Sequence, residues 1–420
     1  MNYLIKGGHV ICPKSGLSEI MDVQIEQGII KEISKNILVK EDTQVIDAST
    51  RLVMPGIVDI HTHLRTPGLE YKEDLISGSN SALAGGITTI ACMPNTSPTL
   101  DRPAVIKVLN ERITKEASIH IKIISAITEG LEGQVLADLK GNVAAGAVGF
   151  SDDGRTTMNN DYMIEAFEEA KKLGVPVITH CEDHEKSALY KDKPAPPELE
   201  HTIVKRDIEL CQSVDGCLHI CHISTKEGVD YVRQAKLKNL RVTCEAAPHH
   251  FSITQEEIDP LNPYTKVNPP IRSKEHKEAL IQGIVDGTVD VIATDHAPHE
   301  KASKEGKAFA EASFGITGFE TSFGLSYTHL VKAGYISLEK LVAMMTYKPA
   351  NLLGLTAGTL EVGKPADLTI ADLNQTYMIE PATFYSKGKN TPFAGKEVSG
   401  KVTYTFVGGV LKYKEGALCQ

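Results

Sequence analysis

Positive charge is in short supply in this chain. Its 420 residues hold 44 Lys and Arg against 54 Asp and Glu, a formal net charge of -10. That balance speaks against a nucleic-acid partner, and it leaves an anionic substrate to be held by a few placed arginines rather than by a broad field. Long hydrophobic runs are missing as well. No apolar stretch approaches the roughly 20 residues of a membrane span, so no membrane partner is expected. Nothing at the start reads as a signal peptide, because Met1 leads directly into Tyr3, Leu4 and Ile5 and then Gly7 and Gly8. The eight cysteines show neither a C-x-x-C nor a disulfide-framework spacing. Several sit inside apolar runs, which fits buried thiols in a reducing cytoplasm. No G-x-G-x-x-G follows an early strand, which removes the main support for a doubly wound open sheet.

What remains is an ordinary globular composition, 41% hydrophobic and 23% charged, with ample length for a large core. The first 52 residues read as short strands at 3–5, 9–11, 21–25, 29–30, 45–48 and 51–53, with no lasting helical period. The end of the chain is similar, with strands at 366–370 and 401–407 and a turn at Gly408 and Gly409. Residues 1–52 and 356–420 are therefore expected to form one small β-sandwich domain built from both termini.

Between them, residues 53–355 alternate apolar runs with helix-like stretches such as 162–173 and 226–236. Eight candidate strands lie at 57–60, 88–91, 119–124, 147–150, 175–179, 218–221, 241–244 and 289–293. Strand and helix alternating eight times indicates an α/β chain with a (β/α)8 TIM-type barrel, whose chemistry belongs at the C-terminal ends of the strands. Those ends are rich in polar groups. The first delivers His61, His63 and Arg65, and residues two apart on a strand point to the same side. Alone, the two histidines say little, since 15 histidines in this length give roughly half an H-x-H by chance. The other ends add Asn95, then Asp152 and Asp153, then His180, Glu182 and Asp183, then His222, then Glu245, His249 and His250, and last Asp295, His296 and His299. Six of eight strands close on groups able to bind metal, which makes a chance arrangement a poor explanation.

The run from Asp59 to Arg65, with the other strand ends, resembles the amidohydrolase superfamily, and within it the class I (bacterial-type) dihydroorotases. The stretches 93–96, 150–154, 180–183, 221–225, 267–272, 294–299 and 314–316, with Glu320 and Thr321, follow in family order over nearly the whole chain. The resemblance implies zinc-dependent, reversible hydrolysis of a cyclic amide, interconverting N-carbamoyl-L-aspartate and (S)-dihydroorotate in the third step of UMP biosynthesis in the cytoplasm. It implies two Zn²⁺ per subunit: His61 and His63 on the first, His180 and His222 on the second, Asp153 shared. Asp295 would complete the first site and carry the proton between water and the ring nitrogen. Neutral imidazoles and carboxylates suit zinc, and paired ions suit water activation with carbonyl polarisation. Arg65, Asn95 and His299 would hold the substrate carboxylate, a planar guanidinium being made for bidentate pairing. Asn268, Phe314 and Gly315 would contact the ring amide. A homodimer, or association with another enzyme of the pathway, is a further expectation from the family.

Many superfamily members bridge their metals with a carboxylated lysine at the fourth strand, but residues 150–154 contain no lysine, so an aspartate bridge takes precedence. Asp152 beside Asp153 leaves an ambiguity there, and a single occupied metal site stays open. The family usually reads Arg-Glu-Pro-Gly where this chain has Arg65, Thr66, Pro67 and Gly68, a change expected to alter how Arg65 is oriented. Residues 300–312, rich in lysine and alanine, are either a mobile cover over the site or a solvated loop. Allantoinase or hydantoinase activity is the alternative enzyme reading, and Arg65 and the absent lysine argue against it. A non-catalytic scaffold is the reading of another class.

Overall fold

A computed structural model describes residues 1–259 and 261–419. The N-terminal strands are β1 (Asn2–Cys12), β2 (Leu17–Glu26), β3 (Ile29–Ser34), β4 (Thr43–Asp47) and β5 (Leu52–Pro55). The central set is β6 (Ile57–Thr62), β7 (Ile87–Cys92), β8 (His120–Ser125), β9 (Ala147–Phe150), β10 (Val177–Thr179), β11 (Leu218–Ile220), β12 (Val242–Ala246) and β13 (Val291–Ile292). The chain closes with β14 (Leu368–Met378), β15 (Glu397–Val407), β16 (Val410–Lys414) and β17 (Ala417–Leu418).

Strands β6 to β13 pair in parallel, each with its neighbour in sequence, and helices such as Asn160–Leu173 and Lys226–Leu237 lie between them. All eight expected barrel strands are present, because a strand buried on both faces leaves a continuous apolar run. Val58, Ile60, Ala91, Ile124, Ile178 and Val291 fill the interior, while Ile57, Ile87, Ile123 and Leu218 pack outward on the helices. Among the described residues, closure between β13 and β6 is not made by strand pairing. A single parallel bridge joins Thr62 to His296, His63 N donates to His296 O at 2.9 Å, and the buried Asp59 accepts from Thr294 N at 3.1 Å.

The terminal strands form one sheet in the order β17-β16-β15-β14-β5-β1-β2-β3, with β4 parallel to the first half of β1. Strands expected separately at 3–5 and 9–11 are one strand. The register against β2 shifts between Ile5 and Gly8, and Gly7 at φ +69° makes the bend, so a bulge looks like a break in the sequence pattern. Tyr3 on β1 and Phe406 on β15 lie three strands apart in the sheet, about 14 Å if it were flat, yet their ring centroids are 5.0 Å apart. The sheet therefore folds over its own core, in which Ile5, Val23, Ile30, Leu368 and Phe406 are buried.

One segment of this terminal part returns to the barrel mouth. Asn390 accepts from His299 N at 3.2 Å and donates to Gly315 O at 3.0 Å, and its carbonyl accepts from Thr317 N at 2.8 Å. Among the described residues, no helix is long and apolar enough to cross a membrane.

Candidate active site

The strand ends bring the expected histidines and aspartates to one point. Asp153 lies within 3.2 Å of His61 Nε2 through one oxygen and 3.4 Å of His63 Nε2 through the other. Asp295 Oδ1 is 3.0 Å from His63 Nε2 and 3.6 Å from His61 Nε2. On the far side of Asp153, His180 Nδ1 is 3.8 Å from Oδ1 of the aspartate and 3.0 Å from His222 Nε2. Tetrahedral zinc with bonds near 2.1 Å sets its ligand atoms about 3.4 Å apart, and these spacings bracket that value. The donor atoms His61 Nε2 and Asp153 Oδ1 are buried without a hydrogen-bond partner, the state of groups arranged for an ion. His222 and Asp295 are held at φ +26° and +49°, and Arg65 at +59°, a concentration of left-handed backbone that follows function more often than folding.

The charge states suit a cation. Burial alone would raise the Asp153 carboxyl, but His61, His63 and His180 around it hold it well below the usual carboxylate range. Burial, with His180 and His61 close by, pushes His222 well down and keeps it neutral. Asp152 is used otherwise: its oxygens accept from Ile127 N (2.9 Å), Thr128 N (3.0 Å) and the hydroxyls of Thr128 and Thr157 (2.6 and 2.7 Å). It braces the loop while Asp153 faces the cluster. His61, Cys221 and Glu245 form another tight group. Burial pushes the Cys221 thiol far above its ordinary value, as expected of a small side chain packed in the barrel interior.

Behind the candidate ligands stand Glu245, Asn95, Glu182 and Glu73, of which the first three are strand-end groups named from the sequence, though not in this supporting role. Glu245 lies 2.5 Å from His61 Nδ1 and 3.0 Å from His219 Nε2. Asn95 Oδ1 is 2.9 Å from His63 Nδ1. Glu182 approaches His180 Nε2 at 3.6 Å, His184 Nδ1 at 3.2 Å and Asn268 Nδ2 at 2.9 Å. Glu73, fully buried, lies 3.5 Å from His296 Nε2 and takes the hydroxyl of Ser386. Such partners fix ring orientation and tautomer. An acid at a strand end or ahead of a helix is too common to announce that role.

On the open side, a cavity of about 220 Å³ is lined by Arg65, Asn95, Asn268, His299, Phe314 and Gly315 together with Asp153, His180, His222 and Asp295. Arg65 donates to Pro298 O at 3.3 Å and lies 3.3 Å from His299 Nε2. Burial lowers its guanidinium to about 10, against the pull of Asp295 and Asp153, so it stays charged at neutral pH. His299 is pushed down to about 2 by burial and by Arg65, Lys72 and Lys304; it is neutral and able to accept. Gly315 sits at φ +118°, where a Cβ would come within 2.6 Å of the Ala297 side chain, so only glycine lets this loop close on the strand end. His249 and His250 are buried with ring centroids 4.2 Å apart, and His250 Nε2 lies 3.0 Å from Pro269 O; neither lines this cavity.

Residues 300–312 form two short 3-10 turns, Lys301–Ser303 and Phe309–Glu311. They are pinned from within. Lys304, only 1% exposed, donates to Pro263 O and Lys266 O at 3.0 Å each. Lys266 donates to Phe309 O at 2.6 Å and lies over the rings of Phe309 and Phe314.

Comparison with known proteins agrees with this architecture. Residues 52–412 match the amidohydrolase family. The chain belongs to the amidohydrolase family. This amidohydrolase is 42% identical to a curated dihydroorotase of Acetivibrio thermocellus, over 99% of the chain and 100% of the relative. It is 43% identical to one of Ruminiclostridium cellulolyticum, over 97% of the chain and 98% of the relative. Among solved structures, the L-hydantoinase (dihydropyrimidinase) of Arthrobacter aurescens superposes with a TM-score of 0.92 at 28% identity, covering 100% of this chain and 97% of that one. The dihydropyrimidinase of Brevibacillus agri, at 23% identity and a TM-score of 0.86 over 100% and 96% of the two chains, shares the fold.

Proposed function

We propose that this amidohydrolase is a dihydroorotase: it opens (S)-dihydroorotate with water to N-carbamoyl-L-aspartate, and closes it again, for pyrimidine biosynthesis. The observation that carries the reading is a buried, charged Arg65 beside a neutral His299 in the same cavity as the histidine–aspartate cluster. A ring bearing a carboxylate matches that pair. A hydantoin lacking one would leave the cation buried and unpaired, at a cost of several kcal/mol.

His61, His63 and Asp295 would hold one zinc, His180 and His222 the other, with Asp153 shared between them. When bound, the ions supply Lewis acidity, acidifying water and drawing charge from the amide oxygen. The chain supplies the rest. Arg65, Asn95 and His299 take the carboxylate and fix the ring in one orientation. Asn95 already gives its oxygen to His63, which leaves its amide N–H groups for the substrate. Asn268, with Phe314 and Gly315, contacts the ring amide. Hydrolysis puts the water oxygen on the ring carbonyl carbon, breaks the carbon–nitrogen bond and moves one proton to the departing nitrogen. Asp295 carries that proton, and returns it when the ring closes.

The test is a side-by-side assay of the purified protein on L-dihydroorotate, allantoin and hydantoin, with zinc counted in the same sample. Turnover of dihydroorotate alone, with two zincs per chain, is the expected result. Preference for a ring without a carboxylate, or no zinc in carefully prepared protein, would overturn it.

A further inference from the structure

Glu182 lies beside a candidate ligand, a candidate substrate contact and a third side chain at once. Its Oε2 accepts from Asn268 Nδ2 at 2.9 Å. The same oxygen is 3.2 Å from His184 Nδ1 and 3.6 Å from His180 Nε2, the last an ionic contact rather than a hydrogen bond. The carboxylate is held in place from its own backbone. Glu182 N donates to Thr156 Oγ1 at 3.0 Å, and that hydroxyl donates to His180 O at 2.7 Å.

A competing contact shows what this arrangement has to outweigh. Asn268 Nδ2 is also 3.2 Å from His180 Nε2. An amide N–H donated there would require Nε2 to be bare, and the neutral ring would then carry its proton on Nδ1. Nδ1 is the atom facing His222 Nε2 and Asp153. Protonated, it cannot bind a cation. A carboxylate beside both nitrogens removes the conflict: it accepts from the amide, and it favours the imidazole proton on Nε2. It also turns the amide, so that Asn268 Oδ1 points away from the anion and serves as the acceptor in the cavity.

We infer that Glu182 is a positioning residue that sets the tautomer of His180 and the amide orientation of Asn268 together, coupling metal affinity to ring recognition through one oxygen. The inference rests on the dihydroorotase reading above and goes beyond it, because it sets Glu182 against the approach of Asn268 Nδ2 to the same imidazole nitrogen.

The experiment measures zinc affinity by chelator competition, and KM for dihydroorotate at saturating zinc, on the full chain and its variants. Glu182→Ala should weaken the zinc held by His180 and His222 by roughly 10- to 100-fold, the usual effect of losing a ligand's outer partner, and raise KM. Asn268→Ala should raise KM and leave zinc affinity within about twofold of the parent. The double variant should recover most of the zinc affinity lost in Glu182→Ala, because the amide that captures His180 is gone. A merely structural role predicts no such recovery. Unchanged zinc affinity in Glu182→Ala, or a double variant as weak as the single, overturns the inference. Should Glu182→Ala fail to fold, Glu182→Gln, with and without Asn268→Ala, is read by the same criterion. A parent protein that neither binds zinc nor turns over dihydroorotate overturns the proposed function instead.

Discussion

Glu245 and His61 meet at 2.5 Å, carboxylate oxygen to Nδ1, with both side chains buried and 184 residues apart in the chain. The contact places the imidazole proton on Nδ1 and turns Nε2 toward Asp153. Replacing Glu245 with Gln should therefore lower metal affinity by roughly 10- to 100-fold, measured by chelator competition. The same pair sets an acid limit. Burial would raise the Glu245 carboxyl, yet the charges and hydrogen bonds of His61 and His219 lower it to about 2 from 4.5. A carboxylate lowered on folding stabilises fully above pH 4.5 and loses that contribution as pH falls toward 2. Melting of metal-stripped protein should fall more steeply through that window for the parent than for Glu245→Gln.

Asp295 carries the proton in the proposed reaction, so Asp295→Ala should cut kcat by roughly 10²- to 10⁴-fold, the span of general acid–base catalysis. Asp153 and four histidines remain to hold metal, and zinc counted in the same sample should stay near the parent value. A kcat close to the parent would remove Asp295 from the chemistry.

Arg65→Lys keeps a positive charge and loses the fork. KM for dihydroorotate should rise roughly 10- to 100-fold with kcat little changed, as read from steady-state kinetics. An unchanged KM would move the carboxylate elsewhere in the cavity.

Lys304 is pushed down to about 7 from 10.5, first by burial and then by the Lys266 charge. A lysine lowered on burial binds fewer protons in the closed segment than in the open one. Closure of residues 300–312 should strengthen as pH rises from 7 toward 10, by up to roughly tenfold per unit, and level off below 7. Limited proteolysis of the parent relative to Lys304→Met across this range checks it. The variant should lose the pH dependence and, with Pro263 O and Lys266 O left without their donor, be cut faster than the parent at pH 10.

The barrel was legible in the sequence because strands buried on both faces read as unbroken apolar runs, and because a barrel gathers the residues just past them. That is why His61, His63, Asp153, His180, His222 and Asp295 could be named from order and spacing with the family resemblance. Glu245 and Glu182 stand among the strand-end groups, but their supporting role is not legible there, since His61 for Glu245 and Asn268 for Glu182 lie far along the chain, and nothing local distinguishes Glu73 from a solvated acid. Lys304 illustrates the same limit. A lysine in a lysine-rich run reads as exposed, yet two backbone carbonyls from another loop hold it inside. The bend in β1 hid for a geometric reason, a bulge at Gly7 breaking the alternation without ending the strand.

Asn390 ties the backbone of Ala297, His299, Gly315 and Thr317 into one frame, from a position well past the last barrel strand. The order of synthesis then matters. A nascent chain that has completed all eight barrel strands still lacks the clasp that shapes its substrate loops. Catalytic competence should appear late during translation, after residue 390 has left the ribosome and the terminal sheet has closed around it.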